Sequence, residues 1–508
     1  MRTKNSIYNL LGSFLFYFVK IIFLFIGQTC LIKILGNQYN GVKGLFSNII
    51  SMLSLAELGI GAAIVYNLYE PVINNDIDII KSIMQFYKKC YHIIAMIVLL
   101  AGVCILPFIK TIVGTVNISE NIYLLFFLFL LDSVASYLLS YKRSIIYVEQ
   151  KNYIISLFDT LYIMVLQILQ IAVLYFLHNF IVYLVVGIIC RIGENILIHI
   201  YANIKYPFLK EGNVHKLQKN VIDDIIEKVK GLLFHNIGSY VVLGTDNILM
   251  SKLVNIIAVG FYSNYLMVIN ALSNVLSQII QSVQASVGDL LVEKNYKKNY
   301  EIYKRLEFAN FWIYSVVSVT VYYLIQDFIV LWLGKNYLFD NIVVFCIILN
   351  FWQTGMRNVI SAFKTGAGIF YEDRYVPIIE SIVNIILSIL LTVKLGIIGI
   401  FLGTFVSTLC LFLYSYPILV YKPLFKRNAR GYYKYILTAF FKWIVTILFV
   451  SFIDNRIDEV NYISNKYILF VIKGILIFFV TNIIFLIFHL RTDEFKFWVN
   501  KIKSVIKR

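Results

Sequence analysis

Charged side chains are scarce in this sequence. They make up 14% of its 508 residues, against roughly 25% in a soluble globular chain, which excludes water as the main solvent of the fold. Proline is scarcer still, with six residues in all, so little interrupts a helix. Six cysteines (Cys30, Cys90, Cys104, Cys190, Cys346, Cys410) stand far apart, without a CxxC pair or a histidine-rich spacing. That scatter argues against a zinc or disulfide framework and leaves them as small apolar fillers of helices. No GxxxxGK[ST] run is present, which argues against direct ATP drive within this chain. No nucleophile–base arrangement stands out, so no catalytic residue, metal or cofactor is assigned and the chain reads as a non-enzyme. Asp76-Ile-Asp78 looks like the acidic pair some glycosyltransferases use for a metal–sugar nucleotide, but it stands alone and reads as a solvated loop.

What is abundant is apolar sequence: 60% of residues are hydrophobic and the mean hydropathy is +0.79. Runs of 18 or more such residues recur from end to end, each able to cross a hydrocarbon core of about 30 Å. They predict fourteen spans, at 7–34, 44–66, 91–113, 121–141, 153–177, 180–201, 232–252, 257–284, 308–333, 341–363, 376–393, 396–419, 435–453 and 467–490. The splits 5/6 and 11/12 rest on very short turns, and spans 7 and 8 are partly polar. The first run follows Arg2 and Lys4 and is too long for a signal-peptide core, so it reads as an uncleaved helix.

The net charge of +17 suggests nucleic acid until its placement is considered. Of 45 Lys and Arg, 32 fall in one alternating set of connections plus the termini, 8 in the other set, and 5 (Lys20, Arg191, Arg357, Lys442, Lys473) inside apolar runs. This is the positive-inside bias: the basic set marks the cytoplasmic face, both termini included, and no nucleic-acid role is needed. The stretch 202–231, with six lysines, is the longest hydrophilic insert. It separates an expected N-lobe at 1–201 from a C-lobe at 232–425, with a final helix pair and a basic tail at 426–508. An internal repeat supports the division. Gly44-Leu-Phe-Ser-Asn48 and Gly260-Phe-Tyr-Ser-Asn264 open equivalent helices, and Tyr141-Lys142 with Tyr153 matches Phe363-Lys364 with Tyr375. The expected fold is an all-α polytopic membrane protein of about fourteen transmembrane helices, with two parallel six-helix lobes and two C-terminal helices.

Ionisable residues inside a membrane are costly and tend to face a bundle interior or a hydrated cavity. Span 8 carries a polar stripe of Ser263, Asn270, Asn274, Ser277, Gln281 and Gln284; span 2 aligns Ser47, Ser51, Ser54, Glu57 and Gly61. Span 7 aligns His235, Ser239 and Asp246, span 1 Ser13, Lys20 and Gly27 with Gln28 beside them, and span 10 Asn350, Gln353, Arg357 and Ser361. Ordinary interhelical hydrogen bonding explains any one stripe; the paired set in spans 1, 2, 7 and 8 favours a shared hydrated cavity. The candidate substrate-binding residues are Lys20, Arg357, Asn270, Asn274 and Gln281, and the candidate ion-coupling residues are Glu57, Asp246 and Asp132. Lys20 lies mid-helix without a carboxylate at i±3 or i±4, so it either meets an anionic substrate or pairs across helices with Glu57. Arg191 has Glu194 at i+3 and reads as locally neutralised; Glu380 is a weaker candidate. Lys442 and Lys473 lie close enough to helix ends to snorkel, in structural roles.

Taken together, the blocks GLFSNIISMLSLAELGIGAAIVYNLYEP (44–71), KRSIIYVEQKNYI (142–154), GTDNILMSKLVNIIAVGFYSNYLMVINAL (244–272) and AGIFYEDRYVPIIESIVNIILSILL (367–391) carry a resemblance. It is to Wzx-type flippases of lipid-linked oligosaccharides, polysaccharide biosynthesis proteins of the multidrug/oligosaccharidyl-lipid/polysaccharide (MOP) exporter superfamily, and it spans roughly 10–425. The resemblance implies a MATE-like pair of lobes that alternate access in the bacterial cytoplasmic membrane. It implies an undecaprenyl-diphosphate-linked oligosaccharide as substrate, a membrane lipid environment, and a supply of repeat units for capsule or O-antigen-like polysaccharide, with a polymerase as partner and H+ or Na+ as coupling ion. Related lipid II flippases use two extra helices as a groove for the lipid tail, a role open to the last two helices here. Cavity cations are frequent in that family, and Lys20 occupies a comparable place. The competing readings are a cation-coupled multidrug or small-molecule antiporter of the same fold, against which Lys20 and Arg357 count, and a membrane polymerase or glycosyltransferase, for which the external connections are too short.

Overall fold

The computed structural model describes residues 2–57, 59–210, 217, 219–293, 295–369, 371–458 and 465–506, and no strand occurs among them. The reason is physical: in hydrocarbon a chain satisfies its backbone polar groups internally, which a helix does within one segment. Two compact units result, Met1–Gly260 and Phe261–Arg508.

The first unit contains α1 (Arg2–Leu35), α2 (Asn37–Leu53), α3 (Ile60–Asn74), α4 (Ile77–Ile105), α5 (Ile109–Val113), α6 (Ile122–Tyr137), α7 (Arg143–Val148), α8 (Asn152–Leu177), α9 (Phe180–Lys205) and α10 (Lys219–Leu253). It ends in the first residues of α11 (Ile256–Val292). The second unit continues with α12 (Tyr296–Trp332), α13 (Asn341–Met356), α14 (Asn358–Gly366), α15 (Val376–Leu395), α16 (Ile397–Cys410), a π-helical run Leu411–Tyr421, α17 (Lys422–Phe425), α18 (Ala429–Asp458), α19 (Lys466–His489) and α20 (Asp493–Ile506). Among the described residues, eleven helical stretches are long and apolar enough to cross a membrane, or twelve with α6–α7 taken as one span bent by 41°. This is a multi-pass membrane protein.

The two further spans expected from sequence are helical as well, with reasons for standing apart. Segment 44–66 is broken: α2 ends in a 3-10 turn, Ser54–Glu57, and Gly59 before α3 takes φ 79°, a left-handed conformation open to glycine. Segment 232–252 lies within α10, whose polar residues dilute its hydropathy. The short turns that made two splits uncertain are well-made caps. Between α8 and α9, His178 is left-handed (φ 48°) and the Asn179 side chain accepts from Val182 N. Between α15 and α16 a single residue, Gly396 at φ 62°, reverses the chain. The hairpin then packs through small residues: a Cβ on Gly399 would fall 2.2 Å from Leu391 C, and one on Gly403 2.3 Å from Ser388 Oγ.

Within the second unit, α18 and α19 pack on α12. Trp443 Nε1 donates to Ser318 Oγ (2.8 Å), Tyr323 Oη to the Ile447 carbonyl (2.5 Å), and Trp312 Nε1 to Asn482 Oδ1 (2.9 Å). Lys473, expected to snorkel, is 4% exposed instead. Asp327 of α12 and Asp454 of α18 each lie 2.9 Å from its ammonium, so a carboxylate pair takes the place of water. Removing one partner of a buried ion pair costs about 3–5 kcal/mol. Asp327 is 45% exposed, which lowers the expectation to roughly 2–3 kcal/mol. Lys473→Ala should therefore lower the apparent melting temperature of the detergent-purified protein. Lys473→Met with Asp454→Asn should recover part of that loss. Amphipathic α20 closes the unit: Trp498 Nε1 donates to the Arg305 carbonyl (3.0 Å), and Lys304 pairs with Glu494. Burial pushes the Glu494 carboxyl up, but the Lys304 ammonium outweighs it and holds the group below its usual range. The contact is therefore present at neutral pH and is lost only as pH falls through that depressed value.

Candidate functional site

A polar cavity of about 420 Å³ lies inside the first unit, among α1, α2, α6, α8 and α9. One wall is the face of α2 bearing Lys43, Ser47 and Ser51, residues spaced to share one side of a helix, continued by Ser54 at the start of the 3-10 turn. Lys43 falls inside α2 because the helix starts at Asn37, not in the loop where the sequence places it. Its Nζ donates to Gln28 Oε1 (3.3 Å) and Tyr183 Oη (3.5 Å), and among the described residues it has no carboxylate partner. Gln28 is anchored in turn, with its Nε2 donating to Asn40 Oδ1 at 2.5 Å. The buried amides Gln167 and Gln170 line the facing wall, and Gln170 Nε2 donates to the Tyr183 carbonyl (3.1 Å).

The remaining charge comes from Asp132 on α6 and Arg191 on α9. Arg191 Nε lies 3.8 Å from Asp132 Oδ1, its Nη1 3.4 Å from Glu194 Oε2, and its guanidinium 4.5 Å from the centre of the Tyr162 ring. Glu194 is shared: its Oε1 lies 2.9 Å from Arg143 Nη2, and Arg143 Nη1 lies 2.8 Å from Asp159 Oδ1. Three acids and two arginines thus form one chain of ion pairs across α6, α7, α8 and α9. It ends at the cavity, where Asp132 Oδ1 has no hydrogen-bond partner. Such a site can hold an anion at Lys43, a cation at Asp132 and hydroxyl-bearing groups along the serines and glutamines.

Lys20 is half-buried and, among the described residues, has no ion pair or hydrogen bond. It shares a face of α1 with Leu24, which lines the cavity, and with Gly27, where a Cβ would fall 1.6 Å from Gln167 Oε1. At 1.5 Å of rise per residue, Lys20 stands about 6 Å along the helix from Leu24. The Ser13 side chain lies outside the described residues. Glu57 is not paired with Lys20. It lies at the end of the 3-10 turn, is not among the residues that line the cavity, and accepts from the Tyr91 hydroxyl, which in turn accepts from Tyr87 (2.9 Å). Asp132 is therefore in the cavity and Glu57 in a tyrosine cluster.

On α10, Asp246 is buried, while the side chains of His235 and Ser239 lie outside the described residues. On α11, Asn270 and Asn274 are exposed, and the side chains of Gln281 and Gln284 also lie outside the described residues. The α13–α14 stripe serves packing: Asn350 Nδ2 donates to the Phe401 carbonyl (2.9 Å) and Gln353 Nε2 to the Phe405 carbonyl (3.1 Å). Arg357 sits at the break between the two helices, 4.0 Å from Glu380 Oε1. Sequence reasoning missed Lys43 and Arg143. The signal for Lys43 was present as an i, i+4, i+8 series with Ser47 and Ser51; Arg143 carried no local signal, since its acids lie 16 and 51 residues away.

No known protein-family profile matches the chain, and no curated protein sequence matches it either. Solved structures do. The chain is similar to the lipid II flippase MurJ in an inward closed conformation, with a TM-score of 0.64 at 15% identity, covering 96% of this chain and 100% of the other. It is similar to an inward-facing multidrug resistance MATE family transporter of the MOP superfamily (TM-score 0.61, 14% identity, 78% and 93% covered). It is also similar to a mutant of the Vibrio cholerae MATE transporter VcmN (TM-score 0.55, 12% identity, 85% and 99% covered). The chain has the MATE- and MurJ-like fold.

Proposed function

We propose that this chain is a flippase that moves an undecaprenyl-diphosphate-linked oligosaccharide across the bacterial cytoplasmic membrane by alternating access, supplying surface polysaccharide assembly. The observation that carries the reading is the cavity of the first unit: a half-buried Lys43 without a carboxylate partner among the described residues, set among serines and glutamines, with Lys20 one helical turn from the cavity-lining Leu24 on α1. A diphosphate about 5 Å from one such cation gains roughly 3 kcal/mol at an effective dielectric near 20. The amides and hydroxyls suit sugar hydroxyls, because each side can donate and accept. The lobes are taken as 1–201 and 232–425, joined by 202–231. In this reading Asn270, Asn274, Gln281 and Arg357 are further substrate-binding residues, α18 and α19 offer a surface to the lipid tail, and the basic connections face the cytoplasm.

A second reading, a cation-coupled small-molecule antiporter, is favoured by one feature: the Asp132 carboxylate in the same cavity. Within the flippase reading, Asp132, with Asp246 and Glu57 as further candidates, is the site of H+ or Na+ coupling. Deleting the gene in its own host separates the two. The flippase reading expects surface polysaccharide to fall and lipid-linked oligosaccharide to accumulate on the cytoplasmic leaflet, both reversed by the intact gene. Unchanged polysaccharide together with new sensitivity to cationic drugs would favour the antiporter and overturn the flippase.

A further inference from the structure

A second cavity of about 420 Å³ lies wholly within the other unit, at the basic ends of α12, α18 and α19 and against α20. It falls in the size range of about 300–1,000 Å³ that ligand pockets occupy, and nothing in the proposed transport cycle uses it. Its interior holds three polar groups without hydrogen-bond partners among the described residues: Glu307 Oε2, Tyr303 Oη and Tyr432 Oη. All three residues are nearly inaccessible, at 2%, 3% and 1% exposure. A buried polar atom left unpaired costs about 1–3 kcal/mol, so three around one cavity call for water or the polar groups of a ligand to pair with them.

The charges around the cavity define that ligand. Lys434 and Lys442 line it, and neither has a carboxylate partner among the described residues; Lys442 Nζ donates instead to His489 Nε2 (2.9 Å). His489 Nδ1 lies 2.8 Å from the Phe485 carbonyl, the partner its ring N–H requires, so the imidazole leaves the lysine charge uncompensated. A purely anionic ligand would satisfy the lysines but face the Glu307 carboxyl. A purely cationic one would satisfy Glu307 and the tyrosine faces but face two ammonium groups. A group carrying both an amine and a phosphate answers both.

The outer rim points to the source. On α18 the exposed Lys434 and Thr438 at the mouth alternate with Leu437 and Phe441, which are 58% and 63% exposed. A molecule whose head enters the cavity therefore finds an apolar helix face beside it for its chains. We propose that this cavity binds the headgroup of a zwitterionic aminophospholipid, its phosphate held by Lys434 and Lys442 and its ammonium by Glu307 and the surrounding tyrosines. The site does not depend on what the protein transports, so the two proposals can fail separately.

The test is native mass spectrometry of the delipidated, detergent-solubilised full chain offered equal amounts of phosphatidylethanolamine and phosphatidylglycerol. The wild type should retain the ethanolamine lipid about tenfold better, the scale of one charge-assisted hydrogen bond. Glu307→Gln should remove that preference, Tyr303→Phe should reduce it, and Lys434→Ala should weaken retention of both lipids alike. Equal retention by the wild type, or an unchanged preference in whichever of Glu307→Gln and Tyr303→Phe remains folded, would overturn the site. Binding of soluble glycerophosphoethanolamine as tight as that of the lipid would overturn the membrane as its source.

Discussion

Under the proposed flippase function, Lys20→Ala should reduce polysaccharide export about a hundredfold while leaving the amount of protein in the membrane unchanged. The magnitude follows from the charge. A cation about 5 Å from a diphosphate gains roughly 3 kcal/mol at an effective dielectric near 20, and each 1.4 kcal/mol is a factor of about ten. The stability half of the expectation follows from the structure: Lys20 is half-buried and, among the described residues, pairs with no acid, so its removal strands no partner. Lys20→Arg should retain part of the activity, because it keeps the charge and alters the donor geometry.

The same experiment decides against a structural role. Were Lys20 the partner of Glu57, Lys20→Ala would leave a carboxylate unpaired, and Lys20→Ala with Glu57→Ala would recover export. Glu57 instead accepts from Tyr91, so no recovery is expected. Export is measured in a strain lacking the native gene, with membrane protein quantified alongside. Normal export by Lys20→Ala, or recovery in the double variant, would remove the diphosphate-binding role.

The helical, multi-pass character of the fold was legible because hydrocarbon imposes one solution on long apolar runs. What escaped the sequence were departures from straight helices. Span 2 reads as one stripe from Ser47 to Gly61, but the turn at Ser54–Glu57 and the left-handed Gly59 split it. Its serines therefore reach the cavity while Glu57 does not. At the other end of α2, the helix start at Asn37 brought Lys43 into the site. Lys473 reads as a snorkelling lysine because its two acids lie 19 and 146 residues away, a distance no local pattern spans. The polar stripe of α13 reads equally well as packing or as a cavity lining, and in the structure Asn350 and Gln353 bond to carbonyls of α16. A polar stripe looks the same in sequence whether it faces water or a neighbouring backbone.

Glu194→Ala should strongly destabilise the first unit. The Glu194 side chain is 3% exposed and joins two arginines, Arg143 at 2.9 Å and Arg191 at 3.4 Å. Breaking a buried ion pair by removing one partner costs about 3–5 kcal/mol. Each arginine keeps a second acid, Asp159 at 2.8 Å and Asp132 at 3.8 Å, and each is about a quarter exposed. Screening by solvent and the remaining acids lower the expectation to about 2–4 kcal/mol. The network joins α6, α7, α8 and α9 and positions Arg191 at the cavity, so the loss should appear first as less protein in the membrane and a lower apparent melting temperature in detergent. Glu194→Gln, which keeps an acceptor but no charge, should fall between. The decisive comparison is Glu194→Ala with Arg143→Met, which removes the stranded guanidinium and should recover a substantial part of the loss. A single variant as stable as the wild type would show that the chain of ion pairs holds nothing together. A double variant no better than the single would show that the cost lies in lost packing rather than unpaired charge.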